Sequence, residues 1–491
     1  MLLSQLLSAL TLTSLPENDY EICDIVYDSR KAYEGSMFVC LCGINTDGHS
    51  YAKSAYENGC RVFLAEHALS LPDDSCVVIT DDTRSALSKI SAEFFSHPER
   101  KLKLIGITGT KGKTTVTKLT RDILTEGGIN TATIGTNGIF INGERTPTVN
   151  TTPESYELYK AFDKMVSSNV DACVLEVSSQ AYLTHRVDGL TFDIGIFTNL
   201  APDHIGEGEH PDFKNYMECK AKLFENCRYA IFNADDEHYT DIRKNSKCPA
   251  QTYALTVHAD YTAGLINEYK TDNCLGISFE CITLTGMIPV SLKMPGKFNV
   301  YNALAAIAAA KRLGIRDEVI SEALKKSTVD GRFEIIDALP HCTIIIDYAH
   351  NGFSMQNLLD TVRRYSPRRL VVLFGSVGSR TEMRRKELGD VCAGSADFCV
   401  ITSDNPDFED PEKILSDIEE SFKGTATPYV KIADRAEAIR YVLKNACVGD
   451  VIILAGKGHE RYQLIEGKHV PFDERAVISE EAAKLAQRNY S

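Results

Sequence analysis

Leu104-Ile105-Gly106-Ile107-Thr108-Gly109-Thr110-Lys111-Gly112-Lys113-Thr114-Thr115 decides the reading of this chain. An apolar, β-branched run stops at glycines. Gly112-Lys113-Thr114-Thr115 then opens a stretch in which Leu119 and Ile123 recur at helical spacing. Strand, glycine loop and helix in that order make a phosphate cradle. Glycines let backbone N–H groups close on phosphate oxygens, the helix N-terminus adds a positive dipole end, Lys113 a point charge, and Thr114 a hydroxyl for Mg²⁺. Gly109, Thr110, Lys111, Gly112, Lys113, Thr114 and Thr115 are therefore the expected ATP contacts. Ile107 stands where the first glycine of the common G-x-x-x-x-G-K-[ST] loop falls, so the flanking strand and helix carry the assignment.

Working outward, 491 residues exceed what one core supports, and about 150 residues per domain predicts three domains. With 43% apolar and 25% charged residues the composition is that of a globular protein. No apolar run reaches the roughly 20 residues a membrane span needs, so no membrane partner is expected. Met1-Leu2-Leu3-Ser4-Gln5-Leu6-Leu7 has neither a basic flank nor a cleavage site and reads as an amphipathic helix rather than a signal peptide. A net charge of -15 argues against nucleic acid, which needs a basic face. The 15 cysteines are scattered without C-x-x-C pairs, which predicts reduced thiols and a cytoplasmic location.

Residues 1–100 alternate short β-like runs with helical stretches, a small N-terminal α/β domain. Residues 101–330 alternate apolar strands (Leu104–Thr108, Ala172–Val177, Ile194–Thr198, Tyr229–Asn233) with helices, a mostly parallel sheet, followed by a β-rich insert over Gln251–Pro295. Residues 331–491 repeat the pattern as a Rossmann-like α/β domain. Its strands end in the polar clusters Asp347–His350, Gly375–Gly378, Ser403–Pro406 and Gly456–Glu460, where open parallel sheets bind ligands.

Two groups beyond the loop suit a Mg·ATP site. Glu176 closes an apolar strand, and His204 follows another. A carboxylate, Thr114 and phosphate oxygens match the hard-oxygen preference of Mg²⁺, whereas a lone histidine is more often structural.

Gly109–Thr115, Asn150-Thr151-Thr152-Pro153, Glu176-Val177-Ser178-Ser179, Thr198-Asn199-Leu200 with Asp203-His204, and Tyr216-Met217-Glu218-Cys219-Lys220 occur in the order of the Mur ligase family. So do Pro295–Asn299 with Asn302, Gly331-Arg332-Phe333-Glu334 and Asp347–His350. The chain resembles these cytoplasmic ATP-dependent ligases of peptidoglycan precursor synthesis over essentially its whole length. Asp28-Ser29-Arg30, Asp47-Gly48-His49, Ser403–Pro406 and Gly456–Glu460 bring it nearest the branch that adds the third amino acid.

The resemblance implies a UDP-substrate-binding first domain, a central ATP-binding domain and a third domain for the incoming amino acid. It implies Lys113, Glu176, His204 and Lys220 as catalytic, with Thr114, Glu176 and His204 holding Mg²⁺. Lys220, carbamylated to N6-carboxylysine, would hold a second ion, although composition alone reads it as a solvated helix lysine. Asn299, Asn302, Arg332 and Asp347 would contact ATP. Ser29, Arg30, Asp47, His49, Thr151, Thr152, Ser178 and Arg186 would bind the UDP substrate. Some positions depart from the family pattern: Thr184 replaces a frequent Gln, Gln180 a frequent His, Ile205–Pro211 an Asp-x-His-Gly, and Ser376–Arg380 a Cys-Gly-Gly-Asp-Arg.

The implied reaction activates the terminal D-glutamate carboxylate of UDP-N-acetylmuramoyl-L-alanyl-D-glutamate as an acyl phosphate, which an amine then attacks. Arg385, Asp404, Asn405, Asp407, Gly456 and Glu460 are the expected amino-acid contacts. Relatives that add meso-diaminopimelate carry Arg after Asp-Asn-Pro, suited to the extra carboxylate. Here Asp407 takes that position and Glu460 adds a second acid, so the charge predicts a cationic side chain, L-lysine first, then L-ornithine, then diaminopimelate. Asp407 as a solvated loop acid is the alternative. A rival from another class, a non-catalytic nucleotide-binding subunit of a cell-wall-modifying complex, predicts decay of sites that are intact in this sequence. The expected partners are small molecules only, and a monomer is expected.

Overall fold

Four parallel strands in sequential order, Asp24–Val26, Ser36–Val39, Val62–Ala65 and Cys76–Ile79, form the first sheet. Every residue of the middle two is buried, as parallel strands covered on both faces require. Alternation splits their side chains. Met37, Val39 and Leu64 pack with Leu3, Leu6, Leu7 and the helix Thr83–Phe94, while Phe38, Phe63 and Ala65 pack with Ala52 and Ala55. Leu3, Leu6 and Leu7 are the buried stripe of the first helix, which is the amphipathic element expected there.

This computed structural model describes the chain except residues 13–15, 17, 44–45, 204, 207–208, 272–273, 379–381 and 489–491. It divides into two compact units, one of Met1–Thr262, Ile282–Gly286 and Tyr301–Ala323, the other of Ala263–Cys281, Met287–Val300 and Leu324–Ser491.

In the first unit, the strand Lys103–Thr108 lies between Ala172–Glu176 and Ile194–Phe197 and runs parallel to both. Thr131–Gly135 extends one side, and Ala230–Asn233 then Ala250–Tyr253 the other, all parallel. The hairpin strands Gly138–Ile141 and Glu144–Thr146 add an antiparallel edge. Because the chain builds outward to both sides of Lys103–Thr108, a crevice opens at the carboxyl end of that strand. The register aligns Ile107 with Glu176 and Thr108 with Phe197, so Gly109, Val177 and Thr198 leave the sheet side by side. The helix Lys113–Glu126 then returns across it, burying Val116, Leu119, Ile123 and Leu124 at helical spacing.

In the second unit, Thr343–Asp347, Asp450–Ala455, Arg369–Phe374, Phe398–Ile401 and Tyr429–Lys431 lie adjacent in that order and parallel, with Glu334–Ile336 antiparallel at one edge. Tyr261–Thr271, Cys274–Thr283 and Gly286–Leu292 are the strands of the β-rich insert. A hairpin of Tyr462–Ile465 and Lys468–Pro471 follows the main sheet. The chain is thus of the α/β class expected from its alternating patterns. Among the described residues no helix is long and apolar enough to cross a membrane.

Candidate functional site

The glycine loop folds around its own lysine. Lys113, first residue of the helix, donates from Nζ to the carbonyls of Gly109 at 2.8 Å and Thr110 at 3.2 Å. Lys220, on the helix Phe213–Glu225, donates to the same Gly109 carbonyl at 2.9 Å. Its Nζ also lies 4.5 Å from the centroid of the Tyr216 ring. Lys220 is only 2% exposed. Burial, and then the Lys113 charge, hold its ammonium well below the usual lysine range.

Asn199 clamps the loop: its carbonyl oxygen accepts from Thr110 N at 2.8 Å, Oδ1 from Lys111 N at 2.9 Å, and Nδ2 donates to Lys111 O at 3.0 Å. Thr198 Oγ1 donates to Lys111 O at 2.7 Å. Gly112 has φ of 87°, and a side chain there would strike Asn302 Oδ1 at 2.6 Å. A Cβ on Gly109 would overlap Thr198 Oγ1. Only glycine allows this approach.

Glu176 lies buried at the end of its strand. Thr114 Oγ1 and Thr136 Oγ1 both donate to its Oε2 at 3.0 Å, and Thr136 N donates to Oε1 at 3.2 Å. Burial raises its pKa, and the Lys113 charge opposes the rise. Gly135 is bare because any side chain there would overlap this carboxylate. Thr151 Oγ1 lies 3.1 Å from Thr136 Oγ1. Thr152 Oγ1 donates to Glu176 O at 2.9 Å and accepts from Ser178 N at 3.0 Å, while Arg186 donates to Thr152 O at 3.1 Å. Thr114, Glu176, Thr151, Thr152, Ser178 and Arg186 thus form one connected network with Thr136, which the sequence reading missed. Its only signal was its position after the strand Thr131–Gly135. His204 lies outside the described residues.

In the N-terminal sheet region, Asp28 caps Ser29–Lys31 and binds the Arg30 guanidinium at 2.9 and 2.8 Å. Arg30 is otherwise exposed, and Ser29 is buried. His49 Nε2 accepts from Glu66 N at 2.9 Å, which fixes the proton on Nδ1, and Nδ1–H donates to Asp47 Oδ1 at 2.6 Å. Cys42, Asp47 and His49 cluster like metal ligands, yet this tautomer leaves Nδ1 no lone pair for a metal.

In the second unit, Asp347 accepts from Phe333 N at 2.7 Å and Ala349 N at 2.8 Å. Burial raises its pKa against the opposing Arg332 charge. Arg332 stacks over Tyr348 at 4.6 Å. Asn299 donates to Pro295 O at 2.8 Å. The residues expected to meet the amino acid are engaged with one another or with neighbouring loops. Arg385, 1% exposed, binds Glu409 through both oxygens at 2.9 and 2.6 Å and Asp417 at 2.7 Å. Two carboxylates therefore share this guanidinium. Glu460 binds the buried Lys457 at 2.8 Å, and Lys457 also donates to Asn405 Oδ1 at 2.6 Å. Asp404 Oδ1 is buried without a hydrogen bond, and Gly456 has no room for a side chain beside Asp404 Oδ2. Asp407, at φ of 53°, accepts from Gly467 N at 2.8 Å and bridges to Ile465 of the hairpin. Asp407 is partly buried as a residue.

Residues 21–95 match the model of the Mur ligase family catalytic domain, 107–310 that of the Mur ligase middle domain, and 331–458 that of the Mur ligase glutamate ligase domain. The chain is 41% identical over 461 residues to the UDP-N-acetylmuramoyl-L-alanyl-D-glutamate--2,6-diaminopimelate ligase of Caldanaerobacter subterraneus subsp. tengcongensis, covering 94% of each. It is 38% identical to the ligase of that name from Clostridium botulinum, covering 98% of this chain and 99% of that one. A solved structure of a UDP-N-acetylmuramoyl-L-alanyl-D-glutamate--2,6-diaminopimelate ligase superposes with TM-score 0.69 at 27% identity, over 98% of this chain and 99% of the other. The MurF ligase of Thermotoga maritima in complex with ADP shares the fold, with TM-score 0.62 at 16% identity over 95% of this chain and 97% of that one.

Proposed function

This chain belongs to the Mur ligase family, and on that premise we propose that it is an ATP-dependent ligase adding a third amino acid to UDP-N-acetylmuramoyl-L-alanyl-D-glutamate. It would act as a cytoplasmic monomer. The observation that carries the reading is the meeting of Lys113, Lys220, Thr114 and Glu176 around the glycine loop. The terminal D-glutamate carboxylate attacks the γ-phosphorus of ATP, the bond to ADP breaks, and an acyl phosphate forms. The neutral amine of the third amino acid attacks the acyl carbon, loses a proton, and inorganic phosphate leaves. Lys113 and the loop N–H groups neutralise and orient the phosphates; positioning and charge, rather than covalent work by the protein, supply the rate.

Thr114 Oγ1 and Glu176 Oε2, 3.0 Å apart, are hard oxygen donors that fit Mg²⁺, with His204 as a further ligand. When bound, Mg²⁺ supplies charge neutralisation at the phosphates. Burial and the Lys113 charge disfavour the Lys220 ammonium, which suits CO₂ capture, and as a carbamate Lys220 would offer oxygens for a second ion. Asn299, Asn302, Arg332 and Asp347 complete the ATP contacts. Ser29, Arg30, Asp47 and His49, with Thr151, Thr152, Ser178 and Arg186, take the UDP substrate.

For the third amino acid, Asp407 in place of the diaminopimelate-type arginine favours a side-chain ammonium, L-lysine first and L-ornithine next. The names of the relatives favour 2,6-diaminopimelate as the second reading. ADP release should require both the nucleotide dipeptide and an amino acid, which separates a ligase from a non-catalytic subunit. Competing lysine, ornithine and meso-diaminopimelate in one assay identifies the acceptor, and diaminopimelate outrunning lysine would end the charge argument.

A further inference from the structure

Arg84, the second residue of the helix Thr83–Phe94, reaches two segments at once. Its Nε donates to Cys42 O at 2.9 Å, and its Nη1 binds Glu154 Oε2 at 3.2 Å. Arg186 binds the other oxygen of the same carboxylate, Nε to Oε1, at 3.0 Å. Two guanidiniums therefore share one carboxylate. Their side chains are 21% and 13% exposed and that of Glu154 is 17% exposed, so solvent screens the surplus positive charge poorly. Arg84 Nη2 and Arg186 Nη2 make no hydrogen bond among the described residues.

We infer that Arg84 and Arg186, bracketing Glu154, form an anion port, and that Arg84 is a substrate-binding residue for an anionic oxygen group of the nucleotide substrate. This rests on the proposed function. The port lies between the Cys42 loop, which leads to Asp47 and His49, and Thr152, which leads to Ser178. An anion seated there gains charge-assisted hydrogen bonds from planar donors suited to phosphate or carboxylate. The diphosphate and the D-glutamate carboxylates share that chemistry.

Isothermal titration of UDP and of UDP-N-acetylmuramoyl-L-alanyl-D-glutamate into the wild type, Arg84→Met, Arg84→Lys and Glu154→Gln tests it. Arg84→Met should weaken binding of the full nucleotide roughly 10–100-fold, with KM for ATP unchanged. Arg84→Lys should recover part of the loss. Glu154→Gln should bind the nucleotide more tightly, a direction that misfolding cannot mimic. If the diphosphate is the occupant, UDP alone weakens in Arg84→Met; if a carboxylate, only the full nucleotide does. Unchanged affinity for both ligands in Arg84→Met, or weaker binding in Glu154→Gln, overturns the port. A wild type that binds the nucleotide yet shows no dipeptide-dependent ADP release fails the proposed function instead, while the binding arms still judge Arg84.

Discussion

Thr114 donates its hydroxyl to Glu176 Oε2 at 3.0 Å, joining the first turn of the phosphate-loop helix to the end of a strand contributed by a separate βα unit. The carboxylate is buried and its pKa raised, so ionising it costs the folded chain free energy at neutral pH. Glu176→Gln removes that cost together with the charge. Turnover should fall roughly 10²–10³-fold while the thermal midpoint of the ligand-free protein stays level or rises. Paired rate and melting measurements check both halves, and a variant at full speed would sink the site. Lys113→Ala should lose rate on the same scale.

Lys220 is the second group whose charge the fold opposes, through burial and Lys113. If Lys220 is carbamylated in use, Lys220→Ala should be nearly inactive, and millimolar formate or acetate should restore part of the rate by placing a carboxylate in the vacated space. Lys220→Arg, permanently cationic, should be inactive and refractory to rescue. Rates with and without added carboxylate decide it.

The contrast between these groups and the loops following Ile401 and Ala455 marks how far sequence reading reaches. The glycine loop was legible because each of its residues is demanded by local geometry: a positive φ at Gly112, contact without a side chain at Gly109, a helix beginning at Lys113. The parallel strands were legible because burial on both faces leaves unbroken apolar runs. The carboxylate partners of Arg385 were not legible, because Glu409 and Asp417 lie 24 and 32 residues away and meet it only once the sheet is assembled. Arg84 and Thr136 carry no local pattern at all, and Lys220 looks like any helix lysine until its surroundings close over it.

Asp407 combines a charge with a structural bond to Gly467 N at 2.8 Å, and one substitution separates them. Asn can accept the same hydrogen bond and tolerates φ of 53°, so Asp407→Asn should keep the hairpin and lose only the charge. On the lysine reading, KM for lysine should then rise roughly tenfold, the scale of one charged hydrogen bond, with protection of the Gly467 amide against hydrogen exchange unchanged. An unchanged KM would leave Asp407 as an anchor only.

His185 ties pH to stability. Its Nδ1 meets Asp188 Oδ2 at 2.5 Å and its Nε2 lies 3.4 Å from Asp82 Oδ2, and the bond to Asp188, with both carboxylate charges, raises its pKa. A raised histidine contributes stability that is fully present below its unfolded pKa, near ~6.5, and is lost as pH climbs through the higher folded value. Denaturation midpoints should fall across that window in the wild type. His185→Gln should flatten this part of the curve; an unaltered slope would assign it to other groups.

Arg435 and Glu474 form an ion pair with both side chains 0% exposed, and the guanidinium also donates to Ser403 O at 3.2 Å and Ala455 O at 2.8 Å, the carbonyls just before Asp404 and Gly456. The pair holds two strand ends, where the loops proposed to bind the amino acid begin. Removing one partner strands the other charge out of water, so Arg435→Met should cost about 3–5 kcal/mol in urea unfolding. Glu474→Leu should be destabilising for the same reason. Replacing both together restores an apolar pair, and the double variant should be more stable than either single one, a coupling that a mutant cycle reads directly. Its unfolding should recover while KM for the amino acid is raised as in Arg435→Met, because apolar side chains cannot hold the carbonyls of Ser403 and Ala455. Full recovery of both would show that the pair serves packing and leaves the loops to position themselves.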